Sequence, residues 1–170
     1  MNPILSAGLL IGVLCVAWTF VMGLTGWYKD PVLLNAFFLV IPIEMAGLFW
    51  GLRRTAAEGR GYGSQVIAGT MMAIVAGVII MAGSLVFTMV AYPDYFRELE
   101  EAYRELARAQ GRSEAEIAQS ISDNMASATP MGQAMGGFLG TLITGIVASA
   151  VLALFVRSRH PIDPSAHAGS

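Results

Sequence analysis

Glu44 is the residue with the clearest potential for chemistry, because it lies well inside the apolar stretch 31–52. A carboxyl group at membrane depth can bind a proton or a cation, or it can form a hydrogen bond between helices. The four long apolar stretches of the chain contain no Lys, Arg or His that could pair with it. We therefore expect a protonated side chain. Pro42, two residues earlier, removes one backbone hydrogen bond beside it.

Two interpretations of Glu44 remain open. It is either a proton or cation site, or a neutral residue that joins helices by hydrogen bonds to Thr70 or Ser149, which fall at a similar depth. Gly47 and Gly51 share its helical face, which indicates that this face meets other helices. A single acid without a second acid or a broken helix is a poor transport site, and this favours the hydrogen-bonding interpretation.

The other possible sites are weakly supported. His160 and His167 are seven residues apart and have no third ligand, so they predict no metal site. The glycine-rich turn at 59–63 follows no strand and precedes no Gly-Lys-Ser/Thr, so it predicts no phosphate site. No catalytic triad, carboxylate pair or Cys/His cluster can be assembled on one membrane face. We expect no catalytic residues, no metal and no cofactor.

The elements that position Glu44 are four long apolar segments. The chain is 55% hydrophobic and 13% charged, whereas soluble domains are about 25% charged. Of its 22 charged residues, only Glu44 lies within the segments 4–27, 31–52, 66–91 and 135–156. Such segments must face lipid, so we predict an all-α integral membrane protein with four transmembrane helices. A net charge of −2 and a single cysteine exclude a nucleic-acid binder and a disulfide scaffold.

Charge placement predicts the topology. The residues before the first segment include no Lys or Arg, so we expect a retained helix rather than a signal peptide. The loop 53–63 holds three arginines and the end of the last segment is followed by two more, which places both termini in the cytoplasm. Residues 1–160 then form one transmembrane domain, and the polar tail 161–170 is expected to be disordered.

The segment 92–130 is predicted to form an external helical hairpin. Gly111 ends its first helix, and Ser113 with Glu116 forms a capping box for the second. The apolar positions recur with helical spacing and are Phe96, Leu99, Tyr103, Leu106, Ile117 and Ile121. They are expected to cover the partner helix, the bilayer surface or another protein, and mutual packing of the two helices is favoured.

Small residues recur along the fourth segment and predict close helix packing. Gly132, Gly136 and Gly140 are four residues apart, and a neighbouring stripe contains Gly145 and Ser149. Helices in lipid associate through such stripes because their backbones can approach closely. We expect the stripe beginning at Gly132 to pack within the chain rather than between two copies.

The order of these features resembles the small bacterial membrane proteins grouped as domain of unknown function 4199. The similar features are a first span opening near residues 2–4, an arginine loop running into 61–65, a Tyr-Pro-Asp-Tyr exit at 92–95, an acidic helix and a glycine-rich last span. The resemblance covers about 2–160 and implies a four-span inner-membrane protein with no established activity. The chain differs in having arginines where lysine clusters are common, and in its longer Pro- and Ala-rich tail.

These observations predict a non-enzymatic protein of the bacterial inner membrane that acts as an accessory or scaffold subunit. Its expected partners are membrane lipids and either another membrane protein or a second copy of the chain, without nucleic acid. The alternative is a small oligomeric proton-coupled transporter or channel centred on Glu44. A transporter requires a polar path to Glu44, whereas a scaffold requires an exposed apolar patch on the hairpin.

Overall fold

The computed structural model describes residues 2–30, 32–125 and 128–156, and these residues form helices and turns. The helices are α1 (Pro3–Thr25), α2 (Val40–Ala56), α3 (Tyr62–Val86), α4 (Tyr95–Ala109), α5 (Glu114–Met125) and α6 (Pro130–Val156). Four segments are long and apolar enough to cross a membrane: Pro3–Thr25, Leu33–Ala56, Tyr62–Ala91 and Pro130–Val156. The expectation of an all-helical chain with four apolar spans is confirmed.

The four long helices pack into one bundle in which α3 is central. It makes its largest contacts with α6 and α1. Glycines allow this close approach, because an added Cβ at Gly8 or Gly12 of α1 would lie 2.6 Å or 2.7 Å from the Cβ of Val75 or Ile79 in α3. Carbon atoms normally rest about 3.5 to 4.0 Å apart, so α1 could not lie here with larger residues.

The second span changes its helical geometry along its length, which the sequence did not predict. A 3-10 helix, Leu33–Leu39, precedes α2. Asp30 starts this segment, since its carboxylate accepts hydrogen bonds from the backbone N–H groups of Val32 and Leu33. The indole of Trp18 donates to the carbonyl of Ala36 at 2.9 Å. Pro42 lies in the first turn of α2, directly after the 3-10 helix.

The helical hairpin is α4 followed by α5, and it stands at the end of the bundle opposite the arginine loop. Gly111 adopts a φ of +74°, which ends α4 in the left-handed conformation that glycine favours. Ser113 and Glu116 bond each other as a capping box at the start of α5. We call the end of the bundle that carries the hairpin and the turn between the first two spans the hairpin side.

Candidate functional site

Glu44 lies in the second turn of α2 and its side chain points into the bundle, where the residue is only 4% exposed. Its Oε1 atom has no hydrogen-bond partner. An added Cβ at Gly145 of α6 would lie 3.1 Å from this atom and would also contact Ala73 of α3. Glu44 therefore reaches the point where α2, α3 and α6 meet.

The hydrogen bonds expected for Glu44 are not formed. The Thr70 hydroxyl instead donates to the carbonyl of Val66 at 2.9 Å. A hydroxyl has one proton to donate, and the preceding turn of the helix is its nearest acceptor. Ser149 is fully buried, but its Oγ is also without a partner. The structure thus brings Ser149 into the interior and leaves both it and Glu44 unpaired there.

A second buried polar pair was not singled out from the sequence. Thr55, at the end of α2, donates to the Oε1 of Gln65, at the start of α3, over 2.6 Å. Both side chains are fully buried. Gln65 lies on the same face of α3 as Ala68 and Met72, and this face is in the core. A polar side chain on such a face requires a hydrogen-bond partner, and this was the signal in the sequence. The pair joins the two helices beside the arginine loop.

The small residues of α6 pack through a different stripe from the one expected. An added Cβ at Gly136 or Gly140 would meet no atom within 4 Å, so these two glycines do not pack inside the chain. Gly132, at the same helical spacing, is half-buried. Gly145 is buried against Ala73, as its own stripe allows. The two stripes are about 100° apart around the helix, so only one of them can face α3.

The apolar residues of the hairpin divide into two sets. Phe96 and Leu99 pack on an aromatic cluster at the end of the bundle, which consists of Tyr28, Phe87 and Tyr95. The other four line a groove of about 250 Å³ between α4 and α5. They are Tyr103, Leu106, Ile117 and Ile121. Only Ile117 is fully buried among them, while Tyr103 remains 39% exposed.

A polar link fastens the hairpin to the bundle. The Tyr28 hydroxyl donates to Oε2 of Glu98 in α4. The Lys29 ammonium donates to Oε1 of the same carboxylate at 2.9 Å. The hydrogen bonds from Tyr28 and Lys29 lower the pKa of Glu98. Burial, followed by the bond to Glu98, raises the pKa of Tyr28. No signal in the sequence indicated this link, because Tyr28 and Glu98 are 70 residues apart.

Metal binding gains no support from the described residues, among which no three His, Cys, Asp or Glu side chains form a possible metal site. His160 and His167 lie outside the described residues.

A family model described as "Protein of unknown function (DUF4199)" matches residues 6–158. The chain belongs to this family. The resemblance found in the sequence is therefore confirmed. No curated protein and no solved structure matches the chain. In this DUF4199 protein, Glu44 and the α4–α5 groove are the features of the described residues that could support a function.

Proposed function

We propose that this DUF4199 protein is a non-enzymatic accessory or scaffold subunit of the bacterial inner membrane, and that its hairpin docks a helical segment of a partner protein. In this proposal both termini are cytoplasmic and the hairpin side is external. The observation that carries the proposal is the open apolar groove between α4 and α5. Mutual packing of the two helices leaves Tyr103, Leu106 and Ile121 incompletely covered.

Rigid attachment supports a docking role for the hairpin. Glu98 and the aromatic cluster fix the base of α4 to the bundle. Helix α5 makes its main contacts with α4, so the outer face of the groove is left open to a partner. A preorganised apolar groove reduces the ordering cost of binding a helix.

Charge indicates the chemistry of the partner. The segment 92–130 contains eight acidic and four basic residues. Glu116 and Asp123 line a second surface pocket on α5, which adjoins the groove at Ser120, and neither forms an ion pair in the described part of the chain. An amphipathic helix with an apolar face and a basic edge would complement this surface.

The proposal is tested by purifying the protein in mild detergent after cross-linking in native membranes. Ile121→Asp should reduce the amount of a specific cross-linked partner by about tenfold or more, since the new carboxylate would lie in the apolar groove. Ala118→Asp is the matched control, because Ala118 is on the exposed surface of the same helix and does not line the groove. Equal recovery of the partner with both variants would contradict the proposal.

A second candidate function is proton binding at Glu44. The specific observation is that a fully structural carboxyl should be hydrogen-bonded, whereas Glu44 and Ser149 present unpaired atoms in the interior. The second span also changes from a 3-10 helix to an α-helix just before Glu44, and such a change within a helix often marks a functional hinge. In this function Glu44 would take up and release a proton as the helices around it rearrange.

Proton binding is tested in proteoliposomes that contain a pH-sensitive dye. Under an imposed pH gradient, the native protein should move protons faster than Glu44→Gln, while Ser64→Ala on the exposed start of α3 should leave the rate unchanged. Equal rates for the native protein and Glu44→Gln would exclude proton transfer through this residue.

A further inference from the structure

A groove on the hairpin side lies where the ends of two spans meet. It has a volume of about 420 Å³ and is formed by the end of α1 with its following turn and by the segment that joins α3 to α4. Its apolar part includes Leu24 and Ala91, and its polar part includes Lys29, Asp94 and Glu98. The ends of apolar spans lie in the headgroup layer of a bilayer, so the groove faces both acyl chains and headgroups.

The charges in this groove have both signs. The Lys29 ammonium uses one of its three N–H donors for Glu98 and is 52% exposed, so further donors are available to a ligand. Asp94 bonds Arg97 through Oδ1, which leaves Oδ2 as an acceptor. Glu98 is ionised at neutral pH because its hydrogen bonds hold its pKa low. Lys29 pairs with Glu98 and Arg97 pairs with Asp94, so charges of both signs lie close together and suit a ligand that carries both a negative and a positive group.

We propose that this groove binds a zwitterionic phospholipid with a primary ammonium headgroup, its phosphate on Lys29 and its ammonium on Asp94 and Glu98. The exposed Leu24 side chain and Ala91 contact the start of the acyl chains. Carboxylates accept hydrogen bonds from a primary ammonium, whereas a trimethylammonium group has no N–H to donate. An anionic headgroup without an amine would offer Asp94 and Glu98 no ammonium N–H to accept from.

The polar walls of the groove are held in place before any ligand binds. The rings of Tyr28 and Tyr92 make an edge-on contact with centroids 6.1 Å apart. Gly23 makes room for this packing, since an added Cβ would lie 2.6 Å from atoms of both Phe87 and Tyr92. The link from Tyr28 to Glu98 then fixes the carboxylate at the rim of the groove. The site is therefore preorganised and independent of any protein partner of the hairpin.

Native mass spectrometry of the detergent-purified full chain tests the proposal, with dioleoyl phosphatidylethanolamine, phosphatidylcholine and phosphatidylglycerol added separately. Phosphatidylethanolamine should be retained preferentially. Lys29→Gln should weaken its retention about tenfold or more, as expected for the loss of a hydrogen bond to a charged group. Lys29→Arg should retain the lipid, because it keeps both the charge and the contact with Glu98. Arg104→Gln is the control, since Arg104 pairs with Glu100 outside the groove.

Asp94→Asn provides a second variant that leaves the link between Tyr28 and Glu98 intact, and it should reduce the preference for phosphatidylethanolamine over phosphatidylcholine. Equal retention of the three lipids, stronger retention of phosphatidylglycerol, or unchanged retention by Lys29→Gln would each overturn the proposal. Binding of glycerophosphoethanolamine as tightly as the intact lipid would overturn it too, because the acyl-chain contacts would then contribute nothing.

Discussion

The contact between Gly69 of α3 and Ser149 of α6 gives the sharpest test of the bundle. An added Cβ at Gly69 would lie 2.6 Å from the Ser149 Cβ, and the Ser149 Oγ is closer still. Because carbon atoms rest about 3.5 to 4.0 Å apart, Gly69→Ala requires the two helices to separate by about 1 Å. This displacement affects the largest helix contact of the chain.

We expect Gly69→Ala to lower the free energy of unfolding by about 2 kcal/mol. Overpacking costs about 1 to 3 kcal/mol, and the upper part of that range applies because the fully buried Ser149 has no room to move. The higher helix propensity of alanine offsets about 1 kcal/mol of this cost in the free energy of unfolding. Thermal unfolding in detergent should therefore shift down by about 4 to 8 °C.

Gly140→Ala in α6 is the matched control, because its Cβ would meet nothing within 4 Å. It should unfold at the same temperature as the native protein or slightly higher. Adding Ser149→Gly to Gly69→Ala should recover part of the loss, with a coupling energy of at least about 1 kcal/mol in a double-mutant cycle. Equal stability of Gly69→Ala and Gly140→Ala would refute the packing described here.

Three further predictions concern the topology, Glu44 and the hairpin. In the Cys15→Ala background, a cysteine introduced at Ala109 should react with an impermeant maleimide added outside intact cells, whereas a cysteine introduced at Ala57 should not. The reverse labelling pattern would show that the proposed topology is inverted. Glu44→Leu should be as stable as the native protein, or up to about 3 kcal/mol more stable, because it removes an unpaired buried atom; a loss of stability would show that Glu44 has bonded partners. Hydrogen bonds lower the pKa of Glu98 in the folded protein. The ionised Glu98 carboxylate therefore contributes fully to hairpin attachment above the usual carboxyl pKa of about 4.3, and this contribution is lost as the pH falls through the lowered pKa of the folded state. Hydrogen exchange at the start of α4 should increase in that acidic range, and Glu98→Gln should show the same increase at neutral pH.

The sequence by itself determined the number of spans and the helical character of the segment between the third and fourth. Long uncharged stretches, the glycine at 111 and the capping box at 113–116 are local signals, so they predict local structure without knowledge of the partner helices. The structure extends two predicted spans, with α3 beginning at Tyr62 and α6 at Pro130.

Only the tertiary structure decided which face of each span is buried. The buried face of a helix in a soluble protein can be recognised by its apolar residues. A membrane span is apolar on all sides, because it faces lipid as well as other helices. The hydrophobic pattern therefore could not predict whether Gly140 or Gly145 of α6 faces the bundle interior. The structure shows that it is Gly145, which contacts Ala73. The unpaired state of Glu44 and the bond between Tyr28 and Glu98, 70 residues apart, depend in the same way on which helices meet.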